Sequence, residues 1–189
     1  MLFRSHPRMA SFIETDTLDR QLREHNVELV IKRILGPLAE EDIEMEILYH
    51  DTMVVVAGAN SPWTRRRKVQ LVDLVDEPWV LPKSEGPLRA LLIKAFQTGG
   101  LKPPRVVVTT GSYHIRSSFL ATGRFLSVLP SVALKLQQHP LIKALPVELQ
   151  ASLQPIAFMT MRNRTLSPVA RLFIEHAREI ATLLTKKKT

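Results

Sequence analysis

The sequence predicts an α/β fold with mostly parallel sheets. Three observations carry that reading: short apolar runs rich in β-branched residues, stretches of helical period between them, and Gly, Pro or hydroxyl residues where one gives way to the other. Two strand-rich blocks flank a different middle, so the chain is expected to leave one lobe, build a second and return. The expected lobes are residues 1–56 with 157–189, and residues 57–156. Residues 53–57 would cross outward and residues 156–161 would cross back.

The elements follow in order. A helix is expected after Asp16, through Leu18 and Leu22, and a buried strand over residues 27–31. Ile43, Met45 and Ile47 alternate with Glu44 and Glu46, the period of a half-exposed strand. Residues 53–57, 105–109, 125–129 and 156–161 are apolar runs that read as strands buried on both faces, with Trp79-Val80-Leu81 a further short one. Leu88, Leu91, Leu92, Ala95 and Phe96 recur at i, i+3, i+4, i+7 and i+8, and Gly99-Gly100 stops that helix before Pro103-Pro104. Ser112 opens a helix through Ile115, Phe119 and Leu120, and another follows Pro130-Ser131. The terminal helix has Ser167 as N-cap and Pro168 at its first position. Its expected core-facing stripe is Val169, Leu172, Phe173, His176, Ile180, Leu183 and Leu184.

Composition narrows the function. With 189 residues, 45% hydrophobic and 23% charged, the chain can bury a sizeable core. It has no Cys, which excludes disulfides, thiolate catalysis, Cys-ligated zinc and iron–sulfur clusters. Lys plus Arg is 26 against 18 for Asp plus Glu, a net +8 that at first suggests nucleic acid. Seven of those cations, however, sit in two runs, Arg65-Arg66-Arg67-Lys68 and Lys186-Lys187-Lys188; without them the count is 19 against 18. The first run follows the turn Ser61-Pro62-Trp63 and reads as a loop, the second as a solvated tail. Residues 1–10 lack the apolar core of a secretion signal and no window of about 18 apolar residues occurs, so a cytoplasmic protein without membrane attachment is expected.

No enzyme is expected. GxGxxG, GxxxxGK[ST], HExxH and GxSxG are all absent, and the six His lack metal-ligand spacing, so neither a cofactor nor a metal is expected. The informative positions lie after strands, where α/β sheets expose helix N-termini able to receive an anion. Ser84 follows residues 79–81, and Thr110, Gly111 and Ser112 follow residues 105–109. Each hydroxyl reads equally as a helix cap or as an anion donor. Arg33 and Arg162 follow two strands of the same lobe, where a planar guanidinium could clamp a carboxylate or phosphate or pair with Glu40, Glu41 or Asp42.

Residues 27–34, 53–58, Asn60-Ser61-Pro62 and, above all, the run Leu-Ala-Thr-Gly-Arg-Phe-Leu-Ser-Val-Leu-Pro over 120–130 resemble the effector-binding domain of LysR-type transcriptional regulators. That last run is similar to the family's V-A-A-G-x-G-I-x-x-L-P stretch. Residues 76–81 and the helix opened by Ser167-Pro168 fit too, while Lys32 stands where close relatives tend to have Gly. The resemblance runs from about His6 to about Leu184. It implies two lobes like those of type 2 periplasmic binding proteins, joined by two crossing strands, with the first strand of lobe one missing. It also implies a sensor for a small anionic metabolite, a carboxylate or sugar acid, bound between the lobes by Arg33, Ser84, Thr110, Ser112 and Arg162. Transcription would be modulated through a DNA-binding domain absent from residues 1–14, the full-length protein being a homo-oligomer such as a dimer. The competing reading is a solute-binding protein of a transport system with the same lobed fold. A hydrolase on this scaffold would need His114 beside an activated Ser112 and a carboxylate.

Overall fold

A computed structural model of the chain describes residues 15–34, 42–82, 87–137, 140–149 and 153–186. The chain forms two compact units, residues 1–50 with 154–189 and residues 51–153, so it enters the second at Asp51 and re-enters the first at Gln154.

The first unit carries helix α1 (Thr15–Arg23), strands β1 (Leu29–Arg33) and β2 (Ile43–Asp51, its last residue in the other unit), β8 (Gln154–Met161) and helix α5 (Pro168–Lys186). Its sheet has the order β1-β8-β2, with β1 and β8 antiparallel: Leu29 faces Thr160 and Arg33 faces Ile156. Leu22 of α1 packs with Val30, Ile34, Ile43, Ala157 and Met159 in a small buried cluster. Lys32 on β1 pairs with Asp19 on α1, a tie between helix and strand.

The second unit carries β3 (Met53–Gly58), β4 (Trp79–Leu81), α2 (Pro87–Thr98), β5 (Val106–Thr109), α3 (Tyr113–Ala121), β6 (Leu126–Pro130), α4 (Ser131–Gln137) and β7 (Ile142–Ala144). The sheet order is β5-β4-β6-β3-β7. Strand residues alternate between two covered faces. Val55, Ala57, Leu126 and Val128 meet Leu92 and Phe96 of α2, whereas Val56 and Leu129 meet Leu120 of α3. Trp79 is fully buried, its ring edge-on to Phe96 at 5.9 Å and its Nε1–H donating to the Leu74 carbonyl at 3.0 Å, so the indole's polar atom is satisfied inside the core.

Four sequence expectations need correction. The sheets are mixed rather than mostly parallel: β4 runs parallel to β5 and β6, but β3 is antiparallel to β6 and β7, and β1 to β8. The antiparallel partners are far apart along the chain, β3 from β6 and β1 from β8, and the period of a buried strand is the same for either direction of its neighbour, so alternation of strands and helices does not fix strand direction. Residues 105–109 are not buried on both faces, because β5 is the sheet's edge strand and Val107 stays exposed. The stripe on α5 faces outward: Val169, Leu172, Phe173, Ile180 and Leu183 are exposed, and Ala170, Ile174 and Ala181 are buried. Two small alanines let the helix backbone approach closely, which the larger residues would prevent. Likewise on α3 the inward residues are Tyr113, Arg116 and Leu120, while Ile115 is exposed. Strand β7 and the 3-10 turns Pro62–Arg65 and Leu71–Leu74 lie below the sequence signal, each being four residues or fewer.

Candidate functional site

The C-terminal ends of the parallel strands β4, β5 and β6 lie at one edge of the second unit's sheet, with the start of β3 beside them: Leu81 pairs with Thr109, and Met53 with Pro130. Three short segments are built there. Thr110 donates its N–H to the Leu81 carbonyl at 3.0 Å, which holds the β5–α3 loop against β4. Its Oγ1 accepts the Ser112 N–H at 3.1 Å, and Ser112 Oγ accepts the Ile115 N–H at 3.4 Å, closing an N-cap on α3. Asp51, buried at the same edge, accepts from Thr52 N–H at 2.8 Å, Ser131 Oγ at 2.7 Å and Val132 N–H at 3.3 Å, and so anchors the first turn of α4.

Both roles read for Thr110 and Ser112 are therefore compatible. Each hydroxyl oxygen accepts from the backbone as a cap does, while its hydrogen remains able to turn towards an acceptor such as a carboxylate. Ser112 and Thr110 are half-buried, and Arg89 Nη1 approaches Thr109 Oγ1 at 3.4 Å, adding a cation to the edge. Ser84 lies outside the described residues.

The two arginines are not brought together. Arg33 closes β1 opposite Ile156, and the next residue, Ile34, donates its N–H to the Pro155 carbonyl at 2.9 Å. Arg162 follows the other end of β8 and donates its backbone N–H to the Asp42 carbonyl at 2.9 Å. In an antiparallel pair, positions that both come after a strand fall at opposite ends. Arg162 stands six positions along the chain from Ile156, the partner of Arg33, roughly 20 Å at a strand's rise. A joint clamp on one carboxylate is thus corrected by the register. Arg33 is the one beside the point where the chain returns from the second unit, and it takes part in an interaction of its own.

Sequence reasoning missed Arg116. It is only 8% exposed, on the inward face of α3 between Tyr113 and Leu120. Its Nε and Nη1 are buried without a hydrogen-bond partner among the described residues. Burial pushes its pKa below the ordinary arginine value, and the nearby Tyr113 phenol opposes that shift. The available signal was a cation at i+3 from Tyr113 and i−4 from Leu120, a position at which an apolar residue would be expected.

His114 is exposed, its ring edge-on to Tyr113 at 6.1 Å, and Ser112 Oγ is engaged by Ile115 rather than by an imidazole. Among the described residues no cluster of three His, Asp or Glu could hold a metal ion, and no helix is long and apolar enough to cross a membrane.

Comparison with known proteins gives a consistent picture. A family model described as the LysR substrate binding domain matches residues 3–182. The transcriptional regulator GbpR of Azospirillum brasilense is 25% identical over 175 residues, covering 90% of this chain and 51% of GbpR. The dual regulator GltC of Bacillus subtilis is 24% identical over 157 residues, covering 82% and 51%. The chain thus spans about half the length of these relatives. Among solved structures, the regulatory domain of CcmR from Synechocystis PCC6803, in complex with 2-PG, superposes with a TM-score of 0.73 at 16% identity, over 89% of this chain and 80% of that one. The effector-binding domain of QuiR, in complex with shikimate, gives 0.70 at 20% identity over 89% and 78%. At these identities the superpositions speak for the fold alone, the periplasmic-binding-protein-like architecture of those domains. Matched by its family model along nearly its whole length, the chain belongs to the LysR substrate-binding-domain family.

Proposed function

We propose that the chain is the effector-sensing part of a LysR-type transcriptional regulator and that it takes a small anionic metabolite, a carboxylate or sugar acid. The supporting observation is the edge of the second unit's sheet, where Thr110 and Ser112 present hydroxyls at the capped N-terminus of α3. A helix N-terminus with oriented donors favours negative charge. Among the structural relatives, QuiR is in complex with shikimate and CcmR with 2-PG, both small molecules. Arg33 is the arginine of the first unit assigned to the effector, because its strand end is next to the chain's return at Gln154; Arg162 is not. Ser84 completes the set from its place after β4. A ligand shifts such a protein only by its differential affinity for two arrangements, so the effector acts by binding one state better. The output would run through DNA contacted by a region outside this chain, in a cytoplasmic homo-oligomer. The transport reading shares the fold, but the curated relatives are regulators.

Isothermal titration with sugar acids and aromatic-pathway carboxylates tests the assignment. For a confirmed binder, Ser112→Ala and Arg33→Ala are each expected to weaken affinity about 10-fold or more, the worth of a hydrogen bond to a charged group. Arg162→Ala is expected to leave it unchanged. Unaltered affinity in both Ser112→Ala and Arg33→Ala would overturn the site.

A further inference from the structure

Helix α5 carries two apolar stripes, and the fold buries one of them. Ala170, Ile174 and Ala181 are buried and Ala177 and Leu184 half-buried, whereas Val169, Phe173, His176, Ile180 and Leu183 each stand one position earlier and are exposed. A step of one residue is about 100° around a helix, so the open stripe runs beside the packed one along most of α5. Among the described residues none covers it.

Three properties of the open stripe fit a second copy of itself. The first is spacing: its five residues recur at intervals of four, three, four and three, the repeat of a helix that packs along another helix. The second is symmetry about the middle residue, His176. Val169 and Leu183 each lie seven positions from it, and Phe173 and Ile180 three and four. An antiparallel copy therefore sets Val169 against Leu183, and Phe173 against Ile180, twice over, as a two-fold interface requires. The third is size. Val169, Leu172, Phe173, Ile180 and Leu183 are each at least half exposed, leaving on the order of 500 Å² of apolar surface open, as much as the largest patch of an ordinary monomer. Two such stripes face to face bury on the order of 1,000 Å², where specific interfaces begin.

Phe173 is the anchor of the stripe. Its ring stands edge-on to Phe158 of β8 at 6.4 Å, while half of it stays open. Ile31, the register partner of Phe158 on the edge strand β1, is exposed as well, so the apolar surface continues from the helix onto the sheet. His176, the polar member, has Nδ1 3.2 Å from Glu179 Oε2 and so enters the contact already paired. A single polar residue in such a stripe fixes the register at a cost in affinity. Charge sets the direction. Lysines run from Lys186 to Lys188, and parallel copies would bring the two runs side by side. Antiparallel copies hold them about 28 Å apart, the length of a 19-residue helix, and lay the two helix dipoles head to tail.

We propose that α5 is a self-association surface, on which a second copy of this chain docks its own α5 antiparallel with the two-fold axis at His176. The inference goes beyond the effector-sensing reading and does not rest on it, since no residue assigned to the effector belongs to the stripe.

An interface of this size is expected to hold a dimer at micromolar concentrations, so sedimentation velocity of the whole chain from about 1 to 100 μM reads it. Val169→Glu and Leu183→Lys each set a charge against an apolar residue and are expected to weaken the dimer about 10-fold or more. The double variant is expected to return to within about 3-fold of wild type, because antiparallel copies bring each new Glu against a new Lys. Both positions are mostly exposed, and the changes put an acid in the first turn and a base in the last, so the variants should melt as wild type does. Arg171→Glu, exposed but off the stripe, is expected to leave association unchanged. Should one single variant fail to fold, the other carries the comparison together with His176→Leu, which removes the polar centre and is expected to tighten the dimer. A chain that stays monomeric up to about 100 μM, or association indifferent to both charges, overturns the proposal. So does a double variant weaker than either single one, the result that parallel copies would give. Loss of the dimer in the single variants and its return in the double one support it whatever the effector titrations show.

Discussion

Gly58, at the opposite end of α3 from Ser112, shows how little room single positions have. A Cβ there would lie 2.0 Å from the Leu120 carbonyl oxygen and 3.0 Å from Gly123 Cα, so the end of β3 touches the end of α3 backbone to backbone. Gly123 itself sits at φ +77° and donates its N–H to the same Leu120 carbonyl at 2.8 Å, ending the helix in a left-handed turn that an L side chain rarely adopts. Gly58→Ala is expected to cost about 2–3 kcal/mol, since the obstacle is backbone and cannot rotate away. Gly123→Ala should cost about 1 kcal/mol or more through strain. At Gly111, where an added Cβ meets nothing within 4 Å, the same change should be nearly neutral. Urea midpoints of the three variants check the ranking, and a neutral Gly58→Ala would show that α3 can shift. The close approach also explains why the stretch over residues 120–130 carries the resemblance: its glycine is the residue on which a helix end and a strand end meet.

At the scale of elements, the β1·β8 ladder decides more than any single residue. Strand periodicity reveals that residues 27–31 and 156–161 are strands, but it is the same for parallel and antiparallel neighbours, so the positions of Arg33 and Arg162 relative to each other are not legible in it. For the same reason the sequence marks α5 as a helix with the right start but points to the wrong buried face: the apolar stripe is wide, and the face that packs is set by which residues are small enough for close approach. The α5 start itself is legible from Ser167-Pro168. Ser167 Oγ accepts the Ala170 N–H at 3.2 Å and donates to Glu28 at 2.7 Å, and Glu28 also accepts the Ser167 N–H at 2.9 Å. These two bonds hold the Glu28 carboxyl below its ordinary pKa of 4.5. A group whose pKa falls on folding stabilises fully above the unfolded value and loses that contribution as pH drops through the folded one. The stability gap between wild type and Glu28→Gln should therefore be steady from neutral pH down to about 5 and close below about 4.5; a gap independent of pH would remove Glu28 from the cap. In effector titrations, the separation of the two arginines predicts additivity: Arg33→Ala and Arg162→Ala should combine within about 0.5 kcal/mol, and a larger coupling would contradict the register.

For the whole molecule the question is what the net charge of +8 does. The family assignment and the fold class are legible in the sequence because they rest on the order of many weak signals along the chain; Arg116 is not, because its meaning depends on burial, which one charged residue in a helix does not announce. The charge is legible too, once divided into its two runs. Arg65, Arg66, Arg67 and Lys68 are all solvent-facing in part, with Arg66 stacked over Trp63 at 4.8 Å, and they follow a short 3-10 turn rather than lie along a helix that could enter a groove. Such a patch attracts any polyanion by counterion release and reads no sequence. The chain alone is therefore expected to bind unrelated DNA duplexes equally and only at low salt, with binding fading steeply between about 50 and 200 mM. Replacing residues 65–68 by Ala should flatten the slope of log affinity against log salt by up to about 3–4 units, at about 0.9 for each phosphate that is no longer neutralised. Fluorescence anisotropy with two duplexes of equal length and different sequence measures both quantities. Equal binding that depends on those four cations leaves recognition to a region outside the chain; a preference for one duplex that survives at about 200 mM salt would place a sequence-reading surface on this domain and would require a different account of how the sensor reaches its output.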